Sequence, residues 1–478
     1  MSLLKIFSRE DIEKIHEATM KILEKIGVRF RSDKAIKYLK DVGVIFDEKK
    51  RAYIPRSLIE EFIKKVPKSF TWRARNKRNN LEIGSGKVHL LPSYGAIYII
   101  DLDGNRRLGT LKDVEELTKI ADALPNIHAA GGRIVQPSDI EPRASHAYLY
   151  KTMIENSSKC VMGYTRCIKD NDVALDCMKM ASIIWGGEEE LKKVPTVMGL
   201  INPRSPLEHD SSMIESIIEY AKWKQPLIIA SFVIIGATGP VTLAGSLAQH
   251  NAEVLSGILL AQVVNPGTPI VYGSATAPVD MKSGNPAIGS PEALLVNTMA
   301  VELANFYNIP SRTSFLVSDS KIPDVQAGYE VALGALLAGM VKPDINLHAG
   351  IINSYLMTSP AQMVINDEIW SYVSRFLKGI EINDDTLALD VIGKVVEKGH
   401  FLAEEHTRRF FFKEYYSPDI ADRSSWDDWV KRGSKDGLKR AIEKAKKILE
   451  THKPEPLEPD VKKELEEVVK EVAKRWSI

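Results

Sequence analysis

Cysteine is scarce: Cys160, Cys167 and Cys177 are the full complement of a 478-residue chain, an odd number that argues against a disulfide framework. Neither sign of charge is in excess. Sixty-four basic residues face 63 acidic ones, and a net +1 offers no electrostatic footprint for nucleic acid or an anionic membrane. No GxGxxG follows a strand pattern and no GxxxxGKS/T occurs, so nucleotide binding has no support. There is no HExxH, and none of the ten histidines pairs with a cysteine at finger-like spacing; no metal site is expected, even between Cys160 and Cys167. The start, MSLLKIFSREDIEKIHE, turns charged within ten residues and has no secretory apolar region, so a cytoplasmic location is expected.

One local absence is more informative. From Gln225 to Val279 the chain runs 55 residues with a single formal charge, Glu253, although 27% of the whole is charged. The stretch reads as a strand (PLIIASFVII), a Gly-rich turn (GATGP), a long helix, a Pro-Gly turn and a second strand (TPIVYGSA). The first strand is too short to cross a bilayer as a helix. The helix carries Gln249, His250, Asn251 and Glu253 at its centre, which hydrocarbon would penalise. A βαβ unit buried on both strand faces accounts for the run, and its polar turn then falls at the strand's C-terminal edge.

Alternation extends along most of the chain. Strands are predicted at 88–95, 127–136, 159–165, 195–202, 226–235, 269–275, 310–317 and 345–351. Helices follow near 111–123, 141–156, 170–185, 209–222, 241–264, 290–307, 323–341 and 360–377. Eight strand-then-helix units spell an α/β fold, a (β/α)8 TIM barrel, with a doubly wound open sheet as the alternative. The predicted domains are an N-terminal helical region (1–75), the barrel (76–380) and a C-terminal helical tail (381–478). Asp103-Gly104 marks a hairpin turn.

Candidate site residues lie at strand C-termini: Tyr94, Gly131 to Gln136, Tyr164 to Arg166, Asn202 to Arg204, Gly236 to Pro240, Gly273 to Thr276, Ser318 to Lys321 and His348 to Gly350. Most are small or amide-bearing, which suits a ligand held by shape and a few hydrogen bonds. Tyr94, Tyr98, Phe315, Tyr329, Tyr355 and Trp370 offer either ordinary packing or a wall for a quaternary ammonium. His348 is either a satisfied core residue or a ligand contact. Lys321 is either a Schiff-base nucleophile or an ion-pair partner of its SDSK loop.

Two long segments, ATGPVTLAGSLAQHNAEVLSGILLAQVVNPGTPIVYGS (237–274) and SDSKIPDVQAGYEVALGALLAG (318–339), closely resemble the trimethylamine methyltransferase family. So do INPRSPLEHD (201–210), GNPAIGSPEALL (284–295) and IHEATMKILEKIGVRF near the N-terminus. The resemblance implies a (β/α)8 barrel that moves a methyl group from an amine to cob(I)alamin on a separate, small corrinoid protein. The cobalt attacks the N-methyl carbon in line, so no catalytic protein nucleophile is required. Because this chain holds only standard residues, it resembles the branch without pyrrolysine, whose members demethylate glycine betaine, proline betaine or carnitine; glycine betaine is the favoured substrate. On that basis His348 is expected at the betaine carboxylate, and Tyr94, Phe315 and Tyr355 around the ammonium. Asn202, Gln136 and Asp319 would orient the substrate or offset charge. Gly236, Thr238, Gly239 and Gly350 would face the corrinoid. A homo-oligomer is expected. The competing readings are a Schiff-base enzyme using Lys321 and a betaine-binding protein without turnover.

Overall fold

The computed structural model describes residues 6–165, 172–397 and 399–476. Eight strands form one parallel sheet: β1 (His89–Pro92), β2 (Ala129–Gly131), β3 (Cys160–Met162), β4 (Val197–Ile201), β5 (Leu227–Ser231), β6 (Ile270–Ser274), β7 (Ser311–Thr313) and β8 (Ile345–Ala349). Sequential strands are neighbours from β2 to β8, and β8 pairs with β1. A parallel bridge between Leu90 and Ile127, with His128 N donating to Leu90 O at 2.8 Å, joins β1 to β2 and closes the barrel. The open-sheet alternative is thereby excluded. The helices after each strand are α1 (Leu111–Ala123), α2 (Ser145–Glu155), α3 (Asp172–Trp185), α4 (Ser211–Lys222), α5 (Leu243–Val264), α6 (Pro291–Tyr307), α7 (Val325–Val341) and α8 (Pro360–Lys378).

Local signals start these helices where the βα loops end. Thr110 and Asp113 form a capping box on α1. Ser290 and Ser359 cap α6 and α8, each followed by proline in the first turn, and Asp324 caps α7. Inside the barrel, Leu91, Ala129, Met162, Met198, Leu200, Ile228, Ala230, Val271, Ile345 and Leu347 form one apolar cluster. A hairpin of Phe70–Trp72 and Leu81–Ile83 plugs its lower end. Trp72, Ala74, Leu81 and Ile83 join the interior cluster, and Trp72 Nε1 donates to Thr196 O at 2.9 Å just before β4. Asp344, just before β8, accepts from Gly84 N and Ser311 N at 2.6 and 2.8 Å. The bottom is sealed, and only the strand C-termini remain for chemistry.

The charge-poor stretch follows from the position of α5. One side lies on the barrel and the other is covered by the N-terminal helices Arg9–Lys21 and Arg56–Ile63. Asn251 on α5 donates to Thr19 Oγ1 and Tyr307 Oη and accepts from Tyr272 Oη, tying the N-terminal region to β6 and α6. Glu253 is fully buried and accepts from Ser205, Ser231 and Gln249 side chains and Leu207 N. The N-terminal region also contributes strands Val28–Phe30, Ile45–Phe46 and Arg51–Tyr53 to a small sheet with Glu208–His209. The predicted hairpin near Asp103 is present as Tyr98–Ile100 paired with Arg106–Leu108. The tail wraps the barrel: helix Gly437–Thr451 packs on α8 and α1, and Pro459–Arg475 on α2 and α3. Among the described residues, no helix is long and apolar enough to cross a membrane.

Helix α7 meets the segment after β7 at Gly334, where a Cβ would lie 1.8 Å from the carbonyl oxygen of Phe315. Gly334→Ala must therefore push α7 away from the barrel. A loss of about 3 kcal/mol is expected, read as a lower urea midpoint with an unchanged slope.

Candidate functional site

The site is built where β5 to β8 end. On β7, Arg312 pairs in register with Gly273 on one side and Ile345 on the other. Ile345 is a barrel-interior residue, and a Cβ on Gly273 would lie 2.5 Å from interior Ala230. Arg312 therefore points into the barrel, and it is 2% exposed. Its Nη1 donates to Ser274 O at 3.0 Å and its Nη2 lies 3.2 Å from His348 Nδ1. Nε is buried with no partner. Burial pulls its pKa down to about 10, so it remains charged at neutral pH.

His348 departs from regular strand geometry to reach this guanidinium. Its φ is +85°, and the register of β8 against β1 slips between Asn346 and Ala349. A non-glycine residue held there costs of order 1–3 kcal/mol, and such strain collects at functional sites. Burial first, and then the Arg312 charge, hold the imidazole well below its ordinary pKa and keep it neutral. A guanidinium only donates, so Nδ1 accepts and the proton sits on Nε2. Ser314 Oγ is 2.7 Å from the same Nδ1. His348 is thus engaged within the protein.

Aromatic rings stand over this pair. The Tyr355 and His348 ring centroids are 4.8 Å apart, and Phe232 meets Tyr355 edge-on at 5.7 Å. The Arg312 charge bears on both Tyr94 and Tyr355, which places the two rings beside it. Tyr94 lies against Gly132, where a Cβ would sit 2.7 Å from its ring. Both tyrosines remain partly exposed while Arg312 beneath them does not. Beside them, Gly95, Arg133 and Gln136 line a cavity of about 550 Å³ that continues to Ser145 and His146 of α2.

Of the residues singled out from sequence, His348, Tyr94 and Tyr355 come together here. Gln136 faces the neighbouring cavity. Asp319 accepts from Ile288 N, Gly289 N and Ser354 Oγ at 3.1, 2.9 and 2.7 Å, locking together the loops after β6, β7 and β8; burial raises its pKa. Asn202 is exposed at the end of β4. Phe315 is fully buried in the hydrophobic core. Gly236, Thr238 and Gly239 form a tight turn after β5, with Gly236 N donating to Gly239 O and Ile234 N to Thr238 Oγ1. Gly350 backs onto Met363 of α8 and does not join that turn. Tyr329 is exposed on α7, and Trp370 lies on α8 beside a separate cavity with His89 and His128. Lys321 is exposed, its Nζ donating to Asp319 O. Arg166 and Cys167 lie outside the described residues; Cys160 is buried and its Sγ contacts Trp72 O at the barrel floor.

Sequence reading passed over Arg312, Ser314 and Phe232. A signal was available for the first. SRTS places an arginine inside a strand buried on both faces, where charge is expensive unless it is used.

A closed parallel barrel with a small polar and aromatic site at its C-terminal mouth defines a (β/α)8-barrel enzyme acting on a small molecule. The model of the trimethylamine methyltransferase (MTTB) family matches residues 1–476. A glycine betaine methyltransferase from Desulfitobacterium hafniense strain Y51 is 40% identical, the match covering 96% of this chain and 95% of the relative. The trimethylamine methyltransferase MttB of Methanosarcina barkeri strain Fusaro is 32% identical, covering 99% and 96%. Among solved structures, the monomethylamine methyltransferase of Methanosarcina barkeri is similar in fold at 12% identity, with a TM-score of 0.52 covering 92% of this chain and 86% of the other. This chain belongs to the trimethylamine methyltransferase family, and it is a methyltransferase.

The neutrality of His348 has a measurable sign. An unfolded histidine titrates near 6.5. Above that pH both states are neutral and the stability is complete. As pH falls below it, the unfolded chain takes a proton that the folded chain refuses, and stability is lost. At pH 5.5 the loss is about 1.4 kcal/mol for one such residue. His348→Asn keeps an acceptor and tolerates the left-handed backbone. Its urea midpoint should fall less between pH 8 and 5.5 than that of the parent, by one proton's worth.

Proposed function

We propose that this protein takes a methyl group from a small quaternary amine, glycine betaine first, and passes it to cob(I)alamin on a separate corrinoid protein. The observation that carries this reading is what the mouth withholds. His348 is neutral and engaged with protein partners. The nearby carboxylates Asp319 and Glu330 are each held by protein donors, and Lys321 is exposed to solvent. Among the described residues, none of these groups is poised as a nucleophile or as an acid–base pair. The chemistry fits an enzyme that positions a methyl group for an outside acceptor. The relative that acts on glycine betaine, with two-fifths of its residues identical, favours that substrate.

The corrinoid, when bound, supplies the nucleophile: its cobalt(I) electron pair forms the Co–C bond while the N–CH3 electron pair stays on nitrogen. The chain has to hold the amine and leave one methyl open to the mouth. Tyr94, Tyr355 and Phe232 supply ring surface for the ammonium, each good contact worth roughly 0.5–2 kcal/mol. Asp319, by joining three loops, fixes Tyr355 and the β7 loop relative to one another. His348 sits at the carboxylate end, and Gln136 and Asn202 remain candidates for contacts at the cavity and the rim. The loops around the mouth expose Ile97, Val241, Met281, Ile322 and Leu356. Such an apolar collar suits a protein partner, with the Gly236–Gly239 turn facing it. Val325, Tyr329 and Leu333 form an exposed apolar stripe on α7 that supports a homo-oligomer. The cytoplasm is the location in keeping with a reduced cobalt acceptor.

Purified protein incubated with chemically reduced cob(I)alamin and glycine betaine should convert the cobalt spectrum to that of the methylated form, with dimethylglycine in equal amount. Absence of dimethylglycine with free cob(I)alamin and also with corrinoid protein from the same source would overturn the reading.

A further inference from the structure

The arginines of this chain that are partly withdrawn from water mostly sit against carboxylates. Arg107 grips Asp113 with two hydrogen bonds of 2.6 and 2.7 Å, and Arg475 grips Asp176 at 3.0 and 3.1 Å. Arg312 is more deeply buried than either, and among the described residues it has no ion pair. Its partners are one carbonyl and one neutral imidazole, which leave Nε and further N–H groups unused. Among the described residues, the titratable groups that bear on it are the neutral phenols Tyr94 and Tyr355, and no carboxylate is among them. Arg133 adds to the imbalance: its Nε is also buried without a partner, and its charge bears on Tyr94 with the same sign. A buried cation without an anion is costly, and a site that keeps one is built to receive the anion from outside.

We infer that Arg312 is the substrate-selecting residue of this barrel: its guanidinium binds a carboxylate on the substrate and so restricts the site to zwitterionic quaternary amines. The assignment of the other end as an ammonium rests on the function proposed above. His348 and Ser274 orient the guanidinium from beneath and beside it. With the carboxylate held at Arg312, the trimethylammonium group lies outward against Tyr94 and Tyr355, and a methyl faces the mouth. A carboxylate-free cation would instead place its charge beside an uncompensated guanidinium. The selection therefore works by repulsion as well as attraction.

Calorimetric titration with three probes tests this. Glycine betaine carries both charges, 3,3-dimethylbutanoate keeps the carboxylate but replaces the ammonium by an uncharged tert-butyl group, and choline lacks the carboxylate. The parent should bind the first two and show at least a hundredfold weaker binding of choline. Arg312→Gln should weaken both carboxylates by roughly a hundredfold. Removal of an uncompensated buried cation should leave the fold intact, which circular dichroism will register. If that variant nevertheless does not fold, Arg312→Lys is read instead; it keeps the charge without the two-pronged geometry and should lose at least tenfold. Choline bound as tightly as glycine betaine, or a folded variant with parental affinity for the carboxylates, would overturn the inference. The two proposals fail separately. Arg312-dependent binding of 3,3-dimethylbutanoate without methyl transfer from any amine would retain the anchor and remove the reaction. Methyl transfer from choline as fast as from glycine betaine would do the reverse.

Discussion

A guanidinium buried with no anion beside it among the described residues is the constraint around which the upper half of this barrel is arranged. Arg312 can project inward because its neighbours in the sheet leave room: Gly273 has no side chain and Ala230 is small. His348 must be a neutral acceptor to sit 3.2 Å from it, and burial together with the Arg312 charge keeps it so. The strained backbone at His348 and the slipped register of β8 are what bring the imidazole to that position. The tyrosines above complete a site whose base is cationic and whose walls are aromatic, a polarity that matches a molecule with a carboxylate at one end and a cation at the other.

The remainder of the fold serves to keep that arrangement dry and fixed. The Trp72 hairpin closes the bottom of the barrel and ties it to the entry of β4. Helix α5 lies between barrel and N-terminal region, linked to both by Asn251. The tail helices cover α1, α2, α3 and α8, with Arg475 clamped on Asp176. At the mouth, the Asp319 carboxylate joins three loops that no strand pairing holds together. Around the mouth, the described loops leave a collar of exposed apolar side chains.

Much of this was legible in the amino-acid sequence, because the barrel is written in local patterns. Strands buried on both faces read as apolar runs, and capping residues such as Ser290 and Ser359 mark helix starts independently of tertiary contacts. The charge-poor run from 225 to 279 marked a βαβ unit whose strands are buried on both faces. The site was less legible for a physical reason. His348, Tyr94 and Tyr355 stand at strand ends and could be picked out by position. Whether Phe315 faces the ligand or the core depends on the backbone after β7, and a close approach of α7 at Gly334 decides it for the core. Asn202 is exposed at the end of β4, whereas Gln136 lines a cavity, a difference set by loop geometry rather than residue type. Arg312 was hidden because strand alternation tells which residues point inward, whereas the missing counterion is a property of three-dimensional neighbours.

The most direct test of the account is a crystal structure of the protein soaked with glycine betaine. The account predicts carboxylate oxygens about 3 Å from the Arg312 guanidinium, the ammonium against Tyr94 and Tyr355, and one methyl group directed at the open mouth. An ammonium seated beside Arg312 with the carboxylate toward solvent, or a ligand bound away from β7 and β8, would contradict it.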